Sequence, residues 1–96
     1  MKIGAVGLGN RIAHVFHELS QINKNAELIS YVDPLPIGKE YAEKHNFFPS
    51  KNYSNLKEML NNEKLDLLMV GSPNHLHLEH IKVGLNSGIK IFAEKP

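Results

Sequence analysis

Gly7 and Gly9 stand one residue apart, directly after the apolar run Lys2-Ile3-Gly4-Ala5-Val6 and directly before a helical pattern. Between a strand and a helix, glycines at this spacing suit the binding of phosphate. The first permits a tight turn and the second lets the backbone come close to a ligand. The exposed amides of the first helical turn, at Asn10, Arg11 and Ile12, then point at phosphate oxygens. Asp33, the 24th residue after Gly9, closes the second apolar run. A carboxylate about 20 residues past such a turn can accept both hydroxyls of an adenosine ribose and repel a 2′-phosphate. These residues predict a dinucleotide site, with NAD favoured over NADP because no Arg or Lys follows Asp33 until Lys39. The pattern is incomplete, because Ile12 fills the third position of G-x-G-x-x-G/A and Ala13 comes one residue late. That position keeps helix and strand close, so Ile12 predicts wider packing or a shifted helix register.

A second polar group is Ser72-Pro73-Asn74-His75-Leu76-His77, with Glu79 and His80 just behind it. So many histidines beside a carboxylate invite a metal reading, and His77 and His80, at i and i+3, share a helical face. Further ligands would have to come from other strand ends, which supply only Asp33 and Glu94. No metal site is therefore expected, and a solvated, polar helix start stays open for His75 and His80. His14 and His17 fall on the first helix and are expected at the surface.

The order of elements follows from hydrophobic periodicity. Ile12, Phe16 and Leu19 recur at helical spacing after the glycine turn, and residues 28–32 read as a β-branched and aromatic strand stopped by Asp33-Pro34. Residues 37–45 predict a second helix, and Phe47-Phe48 a short strand whose pairing Pro49 limits. Ser54 or Asn55 caps a helix carrying Leu56, Met59 and Leu60. Residues 65–70 (LDLLMV) read as a strand buried on both faces. Leu78, Ile81 and Leu85 form the apolar stripe of a last helix ended by Gly88, and residues 89–93 form the last strand. Strands alternating with helices predict a doubly wound parallel sheet, a three-layer α-β-α Rossmann arrangement.

Composition narrows the class. Eleven Lys and Arg against ten Asp and Glu leave a net charge of +1, too little for a phosphate-backbone binder, so no nucleic-acid partner is expected. The absence of cysteine removes disulfides, thiolate metal sites and a cysteine nucleophile. At 42% hydrophobic residues, with no apolar run near the roughly 20 residues a bilayer crossing needs, no membrane partner is expected. The first residues do not read as a signal peptide, which points to the cytoplasm.

Residues 65–96, LDLLMVGSPNHLHLEHIKVGLNSGIKIFAEKP, resemble the N-terminal domain of the Gfo/Idh/MocA family of sugar and polyol dehydrogenases. Three pieces carry the resemblance in order: the glycine turn at residues 7–12, the T/S-P-N-x-x-H loop at 72–77, and E-K-P at 94–96. It implies that Ser72, Pro73, Asn74 and His77 line the cofactor site near the nicotinamide, and that Glu94 contacts the cofactor's ribose region. It also implies that Lys95 is the active-site lysine, and that the Lys95-Pro96 peptide, often cis in such proteins, belongs to the same site. Physical chemistry accommodates that role. A lysine at its reference pKa of about 10.4 is a poor base at neutral pH, and burial beside a cationic ring moves such a group toward the working range.

The implied activity is NAD(P)-dependent transfer of hydride between the nicotinamide and a hydroxyl of a small sugar- or polyol-class substrate. The same residues also admit a redox-assisted glycosidase or a non-catalytic dinucleotide-sensing regulator. Ninety-six residues are short for an enzyme that must also build a substrate pocket. Family members complete the nucleotide domain and add a second one that supports homo-oligomerisation. The expectation is therefore a partial nucleotide domain, incomplete at its C-terminal end, with the substrate and oligomerisation domain lacking.

Overall fold

Alternation decides which side chains enter the core. In the computed structural model, which describes residues 1–94, the first strand β1 (Lys2–Val6) sends Ile3 and Ala5 to one side of a sheet and Val6 to the other. The strand β4 (Leu67–Val70) likewise divides Met69 from Leu68 and Val70. A strand buried on both faces needs helices on both, and the remaining elements supply them.

Helix α1 (Asn10–Ile22) follows β1 and lays Ile12 and Phe16 on the first face. Strand β2 (Glu27–Val32) and helix α2 (Lys39–Lys44) come next, and α1 and α2 touch. After the two-residue strand β3 (Lys51–Asn52), helix α3 (Leu56–Asn62) buries Leu56 and Met59 on the second face. Helix α4 (Asn74–Asn86), between β4 and the last strand β5 (Lys90–Ala93), touches α3 on that same side. All strand pairs are parallel, in the order β3-β2-β1-β4-β5. The doubly wound, three-layer Rossmann arrangement expected from the alternation is the one observed.

Several local expectations hold for identifiable reasons. The Asn55 side chain accepts the Glu58 N–H at 2.8 Å and caps α3. Gly88 adopts φ +76° after α4, while the Gly88 and Ile89 amides donate back to Leu85 and Gly84.

Others are corrected. The second helix starts at Lys39 rather than at residue 37, with Gly38 as its N-cap and the Gly38 N–H donating to the Leu8 carbonyl at 2.9 Å. Phe47 and Phe48 form no strand. They turn into the core against Phe16 and Tyr31, with ring centroids 5.1 and 5.4 Å apart, and pairing waits until Lys51. The stripe on α4 is also rearranged. Leu78 and Leu85 are 62% and 60% exposed, while His77 and Gly84 are buried. Gly84 faces the sheet because a Cβ there would stand 2.4 Å from Ile91, so the helix approaches β5 along its smallest residue. His17 is half-buried against His45, Tyr41 and Phe47, whereas His14 is exposed as expected. Among the described residues no helix is long and apolar enough to cross a membrane.

Candidate functional site

Four strands finish level with one another. The register places Val32, Val6, Val70 and Ala93 in one row across the sheet. The next residues of the four segments, Asp33, Gly7, Gly71 and Glu94, therefore emerge side by side at the carboxyl edge. Hydrogen bonds bind that row together: the amides of Gly7, Gly71 and Glu94 donate to the carbonyls of Val32, Val6 and Val70 at 2.8, 2.8 and 3.0 Å. β1 leads to β2 through α1 on one face, and β4 lies on its other side. The chain thus diverges between β1 and β4, where open α/β sheets bind ligands.

The glycine turn is fixed from three directions. Gly7 has φ +82°, and a Cβ on it would stand 2.5 Å from the backbone of Gly71 and Ser72. No side chain fits there. Asp33 Oδ2 accepts the Leu8 N–H at 2.7 Å while Oδ1 accepts the Leu35 N–H at 2.9 Å. A Cβ on Gly38 would meet the Gly9 carbonyl at 2.5 Å, so only glycine lets the start of α2 lean on the turn.

Gly9 differs in kind. It has φ −87° and caps α1 without a side-chain hydrogen bond, and a Cβ added to it would meet nothing within 4 Å. No acidic residue lies in the first turn of α1, so its leading amides keep the partial positive charge of a helix start unneutralised. An uncapped helix end beside open space suits an anionic group. A carboxylate offers about four acceptor positions, so Asp33 retains capacity for ribose hydroxyls after its two backbone bonds. The residues present fit a dinucleotide.

Ile12 does not widen the packing. Its side chain is fully buried in the core of the first face, and a Cβ on Gly71 would stand 2.3 Å from Ile12 Cγ1. The glycine lost from the turn is thus matched by a glycine at the end of β4. Ile12 can offer the site only its backbone.

Ser72 follows Gly71 and is buried. Its hydroxyl lies 2.7 Å from His80 Nδ1, and its carbonyl 3.3 Å from His77 Nδ1. Burial, supported by the nearby His77 and opposed by Glu79, holds the His80 imidazole below its ordinary value of 6.5. On the α2 side His45 is shifted the same way by lost hydration, with the charges of His17, Lys44 and His14 adding. For both groups the unfolded chain takes up a proton before the folded one. Their contribution to stability is therefore complete above about pH 6.5 and declines as pH falls below it. Urea unfolding is expected to give a lower midpoint at pH 5.5 than at 7.5, with the difference reduced in His80→Asn and His45→Asn. A midpoint that rises on acidification would contradict these environments.

A cavity of about 600 Å³ opens at the carboxyl edge, within the range usual for small-molecule sites. Its polar bank is formed by Gly7, Gly9, Asp33, Ser72 and His80, and Pro73 joins them. Leu35 and Ile37, both largely exposed, supply an apolar wall beside Val32, and the start of α3 at Ser54-Asn55 closes the far side. Arg11 and Glu94 face a separate recess next to Phe92. Asn10 is exposed, with its carbonyl bonded to His14 at 2.7 Å. Asn74 is exposed at the start of α4, and His77 is buried beneath the cavity rather than lining it. Lys95 and Pro96, with the peptide between them, lie outside the described residues. A second cavity of about 690 Å³ opens elsewhere, beside Glu27, Phe47 and Lys51, and contains none of the predicted site residues. Among the described residues no three His, Asp or Glu side chains are placed to share a metal ion.

Two contributors were not singled out from sequence. Gly38 reads there as an ordinary part of a helical pattern, because its constraint comes from Gly9, far away in the chain. His80 reads there as a candidate metal ligand or a solvated histidine, not as a partner of Ser72, although its spacing from Ser72 across the first turns of a helix is the available signal.

A family model described as an oxidoreductase family with an NAD-binding Rossmann fold matches residues 1–96. Glucose-6-phosphate 3-dehydrogenase of Bacillus subtilis (strain 168) is 33% identical over 96 residues, covering 99% of this chain and 26% of that protein. The scyllo-inositol 2-dehydrogenase (NADP(+)) IolU of the same organism is 37% identical over 57 residues, covering 59% of this chain and 17% of its own length. The crystal structure of scyllo-inositol dehydrogenase from Lactobacillus casei, with bound cofactor NAD(H) and scyllo-inositol, superposes with a TM-score of 0.73 at 28% identity. That match covers 100% of this chain and 28% of the other. The chain spans about a quarter of the length of the curated relatives it matches.

Proposed function

We propose, on the premise that this chain belongs to the Gfo/Idh/MocA oxidoreductase family, that it holds the dinucleotide in a dehydrogenase acting on a hydroxyl of a sugar, polyol or related compound. One observation carries this reading. Four level strand ends deliver the Gly7 turn, Asp33, Ser72 and Glu94 to one edge, beside an uncapped helix start and an open cavity. The relatives named for glucose 6-phosphate and scyllo-inositol support the substrate class.

Bound NAD⁺ supplies the hydride acceptor. The chain's own groups do the rest. The amides of Asn10, Arg11 and Ile12 donate to the pyrophosphate, and Gly9 gives it room to approach. Asp33, held in orientation by the Leu8 and Leu35 amides, accepts the adenosine ribose hydroxyls. Leu35 and Ile37 exclude water from the same end of the cavity. Ser72 and Pro73 bound the nicotinamide end, with Glu94 beyond them. Lys95 Nζ takes the proton that the substrate hydroxyl loses, and in its protonated form balances charge developing on that oxygen.

Asp33 also sets the preference between NAD and NADP, since a 2′-phosphate would be brought against a carboxylate. In fluorescence titrations NADH is expected to bind at least about tenfold more tightly than NADPH. Asp33→Ala should weaken NADH and narrow the gap between the two. Equal or reversed preference in the unmodified chain would refute the role of Asp33, and an absence of saturable binding to either would refute the site. The NADP(+) in the name of one relative makes this a discriminating test.

A further inference from the structure

We propose that His80 is a positioning residue of the dinucleotide site, its Nδ1 holding the Ser72 hydroxyl so that the oxygen's lone pairs face the cavity. There they accept a hydrogen from the cofactor, either a ribose hydroxyl or the carboxamide N–H. The proposal rests on the dinucleotide reading above. Ser72 is buried at the end of β4, and His80 Nδ1, at 2.7 Å, is the hydroxyl's one hydrogen-bond partner among the described residues. Both side chains line the cavity, whereas His77 grips the Ser72 carbonyl from beneath and stays out of it. Helix α4 therefore holds this one serine at two points, one fixing its backbone and the other its hydroxyl.

We assign the sense of the bond by placing the ring proton on Nε2, one of the two tautomers open to a neutral imidazole. Burial lowers the His80 pKa, which favours the uncharged ring. A neutral imidazole carries one donor and one acceptor nitrogen, and a serine hydroxyl has one hydrogen and two acceptor positions. With the ring proton on Nε2, Nδ1 accepts the serine hydrogen. The hydroxyl is then spent as a donor and left as an acceptor, matching the donors a nicotinamide riboside presents. Without His80 the hydroxyl rotates freely, and its orientation must be fixed when the cofactor binds.

The test is NADH titration of the full chain and of His80→Leu, His80→Asn, Ser72→Ala and the double variant Ser72→Ala/His80→Leu. Asparagine places a polar atom close to the Nδ1 position, whereas leucine fills the space without one. His80→Leu and Ser72→Ala are each expected to weaken NADH about five- to tenfold, the worth of one hydrogen bond. The double variant should be no worse than either single one by more than about twofold, and His80→Asn should recover most of the loss. If His80 only packed α4 in place, asparagine would lose as much as leucine and the two losses would multiply. Either result, or unchanged affinity in His80→Leu, overturns the proposal while leaving the dinucleotide site standing. Failure of the unmodified chain to bind NADH overturns both.

Discussion

Gly7→Ala is expected to destabilise the fold by about 3 kcal/mol and to abolish dinucleotide binding, whereas Gly9→Ala should fold normally and still lose binding. The two glycines look equivalent in the motif but not in their surroundings. At Gly7 a methyl group is opposed twice. A backbone at φ +82° costs an L-residue roughly 1–2 kcal/mol, and the Cβ would be driven to 2.5 Å from Gly71 and Ser72, where backbone rather than a flexible side chain must yield. Domains of this size are stable by only about 5–15 kcal/mol, so the loss should lower the thermal midpoint by more than about 10 °C. At Gly9 the backbone is ordinary and the added methyl meets no protein atom within 4 Å. The cost to stability is then that of a poorer helix cap, about 1 kcal/mol or less. The methyl does occupy the space a pyrophosphate must enter, and NADH affinity should drop by tenfold or more. Circular dichroism melts and NADH titrations on both variants check this. A Gly9→Ala chain that binds NADH unchanged would remove the phosphate from the turn.

Lys95→Ala carries the largest expected effect on turnover. In the dehydrogenase proposed above, the rate of hydroxyl oxidation should fall at least about a hundredfold, the lower end of what a positioned general base contributes. Affinity for NAD should change by less than about twofold, because the proposal assigns the binding to the amides of α1 and to Asp33. Lys95→Arg sharpens the test. It keeps a positive charge but has no usable deprotonated form near neutral pH, so it should fail as a base even where it succeeds as a cation. Steady-state kinetics and NADH titration separate the two roles. Full turnover in Lys95→Ala would exclude the lysine from the chemistry.

The contrast between the glycines also marks how much could be read from sequence. The βαβ alternation, the glycine turn, the Asp33 position and the two-faced β4 strand are local patterns, each fixed by a short stretch of chain. They specified the fold and the edge at which the strand ends gather. What escaped depends on approach between distant residues. Gly38 is a glycine because of Gly9, and Ile12 is tolerated in the turn because Gly71 lacks a side chain. Neither dependence shows in a periodicity. The stripe on α4 misled for a related reason: Leu78 and Leu85 recur at helical spacing, yet the helix packs on Gly84, the residue that lets it come closest to β5. His77 is buried and does not line the cavity, whereas His80 lines it. Their spacing showed that they share a helical face, but not the depth at which each sits.

The central claim is that NAD lies at the carboxyl edge of the sheet, across the row formed by Val32, Val6, Val70 and Ala93. Titrating NAD⁺ into ¹⁵N-labelled protein and following backbone amides by NMR tests it most directly. Saturable shifts are expected at Gly7, Gly9, Asp33, Leu35 and Ser72, which line the 600 Å³ cavity, and at the leading α1 amides of Asn10 and Arg11. Shifts concentrated instead at Glu27, Phe47 and Lys51, around the 690 Å³ cavity, or none at saturating NAD⁺, would contradict the account.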